Sequence, residues 1–288
     1  MSSHQRLGNA RLLYIEAFGA GPDEFGAAEY LAHAPTPAAL LFEQAYEGNR
    51  DDDATWRFIH ELRVRATAEV FNMAVGHCDS RDPRWREIGL DVLAQFGSGL
   101  PVDKRPYLPL CRDLALRGLE DPNIHVVRSA AMALAHLNAD CPCPEALLAL
   151  ATHADPEVRL ASALGLVYTN SEPAQQALLG LMEDEDQDVR DWATMGIGQG
   201  AESSPEVIEA LQKRWREETF VDARDEAIWG LVRLHEREAI EELLDRFRRD
   251  TWVSGDMTAI RSLHEYHGED PPVQEIIEAT RYYLHTHP

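Results

Sequence analysis

Three His-Glu dipeptides are the first candidates for chemistry: His60-Glu61, His235-Glu236 and His264-Glu265. An imidazole beside a carboxylate can ligate a transition metal, and a two-iron centre needs such pairs at equivalent points of facing helices. These three are out of register. The surrounding apolar spacing puts His60 in mid-helix, His235 at a helix end or turn, and His264 late in the last periodic segment. Four matched pairs would be required, so no di-iron site is expected. Cys141 and Cys143 flank Pro142, and Cys78, Cys111, His136 and His153 add further soft ligands. Their spacing fits no zinc signature. The cysteines read instead as small buried hydrophobes. The chain has no Walker loop, no Gly-x-Ser-x-Gly elbow and no His-Glu-x-x-His motif. No catalytic residue, metal or cofactor is expected.

Charge says more than any of these motifs. The chain carries 27 Lys and Arg against 50 Asp and Glu, a formal net charge of −23 over 288 residues. Such a surface repels phosphate backbones and anionic headgroups, so nucleic acid and membranes are poor partners. It attracts and steers a basic protein. No apolar run reaches the ~18 residues of a transmembrane helix, and no cationic segment precedes a long apolar core. With four cysteines and no disulfide framework, a reducing cytoplasm is the expected location, and the free protein is expected to be a monomer.

The elements that position these residues follow from a repeat. An acidic residue, two variable residues, an apolar residue and an arginine recur as Asp82-Pro83-Arg84-Trp85-Arg86, Asp155-Pro156-Glu157-Val158-Arg159 and Asp186-Gln187-Asp188-Val189-Arg190. A weaker copy ends in Ala223-Arg224. A copy over 126–137 has Val127 at the arginine position and Arg128 beside it. From Arg159 the arginine recurs after 31 and then 34 residues. Six residues beyond it stand Gly165, Gly196 and Gly230, each followed by Leu166, Ile197 or Leu231. Val158, Ser162, Gly165 and Leu166 share one helical face, as do Val189, Ala193, Gly196 and Ile197. Asp155 and Asp186 occupy N-cap positions, and Pro156 takes the first helical position. Between these helices lie amphipathic stretches at 145–153, 173–182, 205–217 and 238–248. Each repeat is therefore a pair of antiparallel helices, and stacking the pairs buries apolar faces that neither helix can bury alone.

The repeats over 121–235 resemble the short HEAT-like repeats grouped with phycobilin lyase subunits, on the residues Asp155 to Arg159, Asp186 to Ala193 and the glycines that follow. Arg86 to Gly97 is similar to a segment common in bacterial HEAT-repeat proteins. The resemblance implies an all-α, α-α superhelix: a solenoid of about seven antiparallel helix pairs plus a C-terminal capping helix. Residues 1–35 would form an N-terminal helix and loop cap, 36–268 the solenoid and 269–288 the closing helix. It also implies that Asp82, Arg86, Asp155, Arg159, Asp186, Arg190 and Arg224 form a structural ladder between neighbouring repeats. This architecture hosts scaffolds, inhibitors and a few enzymes, so the fold alone does not fix a function.

A partner surface is expected on the second helices. Positions two, five and nine after the arginine carry Tyr168, Trp192, Met195 and Trp229, an aromatic stripe of the kind enriched at interface centres. Glu183, Asp184 and Glu185 belong to an acidic run through Asp188 that exceeds what capping needs. Together, ridge and stripe suit a non-catalytic scaffold or adaptor that holds a basic protein. Similarity of 186–235 to HEAT-like immunity proteins implies the neutralisation of a cationic bacterial toxin. The lyase resemblance implies a bilin-lyase-like enzyme subunit instead.

Overall fold

In a computed structural model, the described residues are 36–105, 107–167, 169, 171–264 and 271–287. They contain fifteen α-helices, one short 3-10 turn and no strand. The expected cap over 1–35 lies outside them. Fourteen helices form seven consecutive antiparallel pairs: α1 Ala38–Glu47 with α2 Asp53–Arg65, α3 Ala68–Cys78 with α4 Pro83–Ala94, α5 Leu108–Gly118 with α6 Ile124–Leu137, α7 Pro144–Leu150 with α8 Pro156–Leu166, α9 Glu172–Leu181 with α10 Gln187–Gly200, α11 Pro205–Glu217 with α12 Val221–Arg233, and α13 Arg237–Arg249 with α14 Ser254–Leu263. The fifteenth, α15 Val273–Thr286, packs on α13 and buries Ile276, Ile277 and Leu284. The fold class is an all-α, HEAT-like solenoid.

Helix starts follow from side-chain chemistry. Asp82, Asn123, Asp155 and Asp186 each accept the backbone N–H two residues on, at 2.9 to 3.0 Å. Thr67, Ser171 and Ser204 cap first helices of pairs by accepting the N–H of Val70, Ala174 and Val207. Such a cap satisfies an otherwise orphaned helix-end donor.

Two compact units divide the chain, residues 1–165 and 166–288. In the first, Leu41, Phe42, Ile59, Leu62, Ile88, Leu93 and Phe96 belong to one buried cluster. Helix α4 packs against α1, α2, α3, α5 and α6, and every residue from Glu87 to Ala94 is buried. In the second unit, α12 packs against α10, α11, α13 and α14. Second helices are thus enclosed on several sides, which matters for the site below.

The repeated glycines receive a leucine from the first helix of their own pair. A Cβ on Gly165 would lie 2.7 Å from the Leu147 side chain, and one on Gly196 would lie 3.0 Å from Leu178. At Gly230 it would meet Leu211 at 3.2 Å and the Gly198 Cα of the neighbouring second helix at 2.6 Å. The glycine therefore sets how closely α10 and α12 approach.

Candidate partner-binding surface and the arginine ladder

The pattern arginines do two jobs at once. One guanidinium nitrogen, Nη1, folds back on the turn before its own helix. Arg86 donates to the Ser80 and Arg81 carbonyls, Arg159 to those of His153 and Ala154, and Arg190 to those of Asp184 and Glu185, all at 2.9 to 3.1 Å. The other edge of Arg86 and of Arg190 reaches the turn of the next pair. Arg86 grips Asp121 with Nε at 2.6 Å and Nη2 at 2.8 Å. Arg190 grips Glu218 at 2.7 and 3.1 Å. Arg128, the displaced copy, reaches Asp155 at 2.6 Å and Glu157 at 3.1 Å. Forked, bidentate geometry of this kind is specific to arginine with a carboxylate.

The acceptor carboxyls are held in their charged form by these contacts. Desolvation acts to raise the Glu218 carboxyl. Hydrogen bonds from Arg190, the Phe220 N–H and Arg214 overcome it and hold the group at about 2. The Arg86 hydrogen bond likewise holds Asp121 below its usual value.

Two acidic residues of the sequence pattern serve differently from their arginines. Asp82 caps α4 and accepts the Tyr46 hydroxyl at 2.7 Å, and Asp186 caps α10. Arg224 makes no ion pair among the described residues. In its neighbourhood Arg246 of α13 holds Asp225 at 2.9 Å and Asp256 at 3.0 Å. Arg246, Arg214, Arg128, Asp121 and Glu218 are rungs or supports that the sequence pattern did not single out. Arg128 beside Val127 was the one visible signal.

The aromatic stripe is not a surface. Trp192 is 1% exposed and Met195 5% exposed, because α10 packs on α12 as well as on its own partner helix α9. Trp229 is half-buried; its Nε1 donates to Asp256 Oδ1 at 2.8 Å, and its ring lies over Gly255, where a Cβ would meet it at 2.0 Å. Tyr168 lies outside the described residues.

The acidic run is largely committed within the fold. Glu183 accepts Lys213 Nζ at 2.5 Å and Arg214 at 3.3 Å. Asp184 Oδ1 accepts the Asp186 N–H at 2.9 Å. Glu183 and Glu185 are both exposed, and the Glu185 carbonyl accepts from Arg190. Seven exposed carboxylates sit on first helices: Glu43 and Glu47 on α1, Glu69 on α3, Glu145 on α7, and Glu206, Glu209 and Glu217 on α11. None of these seven makes an ion pair among the described residues.

The chemical candidates are placed in structural roles. His235 Nδ1 lies 2.7 Å from the Tyr283 hydroxyl, and His264 Nε2 lies 3.0 Å from Thr280 Oγ1, so both hold α15. His60 is an exposed residue of α2, and Glu265 lies outside the described residues. Desolvation pushes the Cys78 and Cys111 thiols up to about 12 and Cys143 to about 11, which opposes thiolate formation. Among the described residues no three His, Cys, Asp or Glu side chains gather in a metal-binding group. No helix there is long and apolar enough to cross a membrane.

Residues 144–231 match the family model of HEAT repeats. The chain is a HEAT-like repeat protein. Solved structures agree in fold. YibA of Escherichia coli is 18% identical with a TM-score of 0.60, over 88% of this chain and 98% of that one. Kap95p, from a structure of its binding to RanGDP, is 12% identical with a TM-score of 0.54, over 98% of this chain and 40% of Kap95p. The CpcE and CpcF complex of phycocyanin lyase from Nostoc sp. PCC7120 is 15% identical over 91% of this chain and all of that one, and its TM-score of 0.46 is too low to bear on chemistry. No curated protein matches the chain.

Proposed function

We propose that this HEAT-like protein is a non-catalytic scaffold that holds a basic protein partner against its acidic first helices. The observation that carries this reading is the excess of exposed, unpaired carboxylates on those helices and their turns, within a chain of net charge −23. Helix-pair repeats present long surfaces suited to such binding, and Kap95p shows that a protein of this fold can bind another protein. Charge of this density acts mainly on encounter, drawing a cationic patch into register before close contacts form. In this reading Glu185 contributes to the surface, while Glu183 and Asp184 hold the turn together. Trp192 and Met195 support the helices that carry it.

The test is capture of partners by the full-length protein beside two charge-reversed variants. One carries Lys at Glu43, Glu47 and Glu69, and the other at Glu206, Glu209 and Glu217. A basic protein retained by the wild type at low salt, and lost by one variant, supports the proposal and locates the surface. Partners retained equally by all three proteins would refute it.

A further inference from the structure

A groove of opposite character lies between α13 and α15. It is an open groove of about 780 Å³ lined by Arg237, Arg248, Arg281 and His285, with the buried Leu244 and Leu284 beneath them. Two carboxylates also line it. Glu241 pairs with Arg237 at 2.9 Å, and Asp245 pairs with Arg248 at 2.9 Å. Arg237 is further anchored by donating to the Leu284 carbonyl at 2.9 Å. Arg281 is exposed and makes no ion pair among the described residues. Three guanidiniums and an imidazole therefore face two carboxylates that are already engaged, on a chain whose net charge is −23.

We infer that this groove binds an acidic peptide segment of a protein partner, with carboxylates on Arg281 and Arg248. Each guanidinium offers five N–H donors, so an arginine paired once still has donors free for a second carboxylate. The groove is open to solvent, which suits an extended segment of a partner rather than an enclosed small molecule. Arg248 and Arg281 stand on different helices, and a peptide carries several carboxylates along one backbone to meet both. This site is distinct in sign and place from the acidic first helices. A partner bearing both a basic patch and an acidic segment could dock in only one orientation.

The experiment uses the full-length protein and a labelled peptide of alternating glutamate and leucine, read by fluorescence anisotropy. A peptide with glutamine for glutamate, inorganic phosphate and a short single-stranded oligonucleotide are the competitors. Arg281→Glu is expected to weaken binding about tenfold or more, the scale of one lost charge-assisted contact. Arg216→Glu, an exposed change on α11 outside the groove, is expected to leave it unchanged. Circular dichroism of both variants should match the wild type, since neither side chain is buried. The inference is overturned if the acidic peptide does not bind at millimolar concentration, if Arg281→Glu binds it as well as the wild type does, or if phosphate or the oligonucleotide displaces it more effectively than unlabelled acidic peptide.

Discussion

Replacing Arg190 with Met keeps the aliphatic stem and removes every donor. The wild-type guanidinium bridges the Asp184 and Glu185 carbonyls to Glu218 of the next pair. Glu218 has a side chain only 2% exposed, so its charge depends on protein donors. Losing one partner of a buried pair costs about 3 to 5 kcal/mol when the remaining charge is left alone. Here Glu218 keeps Arg214 at 2.8 Å and the N–H groups of Thr219 and Phe220, each at 2.9 Å. The expected loss at pH 7 is therefore smaller, about 2 kcal/mol. The pH dependence is a second signature. Glu218 is held at about 2 in the folded protein against a usual 4.5. A depressed carboxyl contributes stability that is fully present above the unfolded value and is lost as pH falls through the folded one. In that window the contribution shrinks by about 1.4 kcal/mol per pH unit. Urea titrations of wild type and Arg190→Met at pH 7, 5 and 3 should give a difference that is the same at pH 7 and 5 and smaller at pH 3, where Glu218 of the variant, short of one donor, takes up a proton before that of the wild type. A cycle with Glu218→Gln isolates the pair. A difference that stays the same at pH 3, or one below about 0.5 kcal/mol at pH 7, would refute the reasoning.

Other substitutions probe other parts of the account. Gly230→Val puts a Cβ 2.6 Å from the Gly198 Cα; urea unfolding should show a loss of about 1 to 3 kcal/mol despite the better helix propensity of valine over glycine. Trp192→Ala empties a core position and should cost about 3 to 5 kcal/mol, read as a fall in melting temperature. Asp186→Ala removes the α10 cap and should cost about 1 kcal/mol, with Asn in its place recovering most of the loss.

Much of this structure was legible because its rules are local. Asp82, Asp155 and Asp186 mark helix starts since a cap needs only a side chain and the N–H groups just beyond it. Gly165, Gly196 and Gly230 mark a close approach since a leucine of the same pair fills the space. The period of these features shows helix pairs and their number. What was not legible depends on neighbours some 30 residues away. Trp192 and Met195 lie off the face that packs on α9, which reads as solvent exposure in one helix. They are buried on a helix that packs on α12 as well as on α9, which one helix's periodicity does not show. Glu183 reads as surplus charge until Lys213 and Arg214 of the next pair are placed beside it. Arg246 sits outside the motif altogether, yet it satisfies two buried carboxylates, Asp225 and Asp256.

The central functional claim is that exposed carboxylates on the first helices steer a basic partner. With that partner purified, the direct measurement is its association rate across ionic strengths from about 0.01 to 1 M, a range over which the screening length falls from about 30 to 3 Å. The account predicts a steep fall in the association rate with salt, a dissociation rate that changes far less, and a shallower salt dependence for the variant with Lys at Glu206, Glu209 and Glu217. An association rate that stays flat across the range would contradict it.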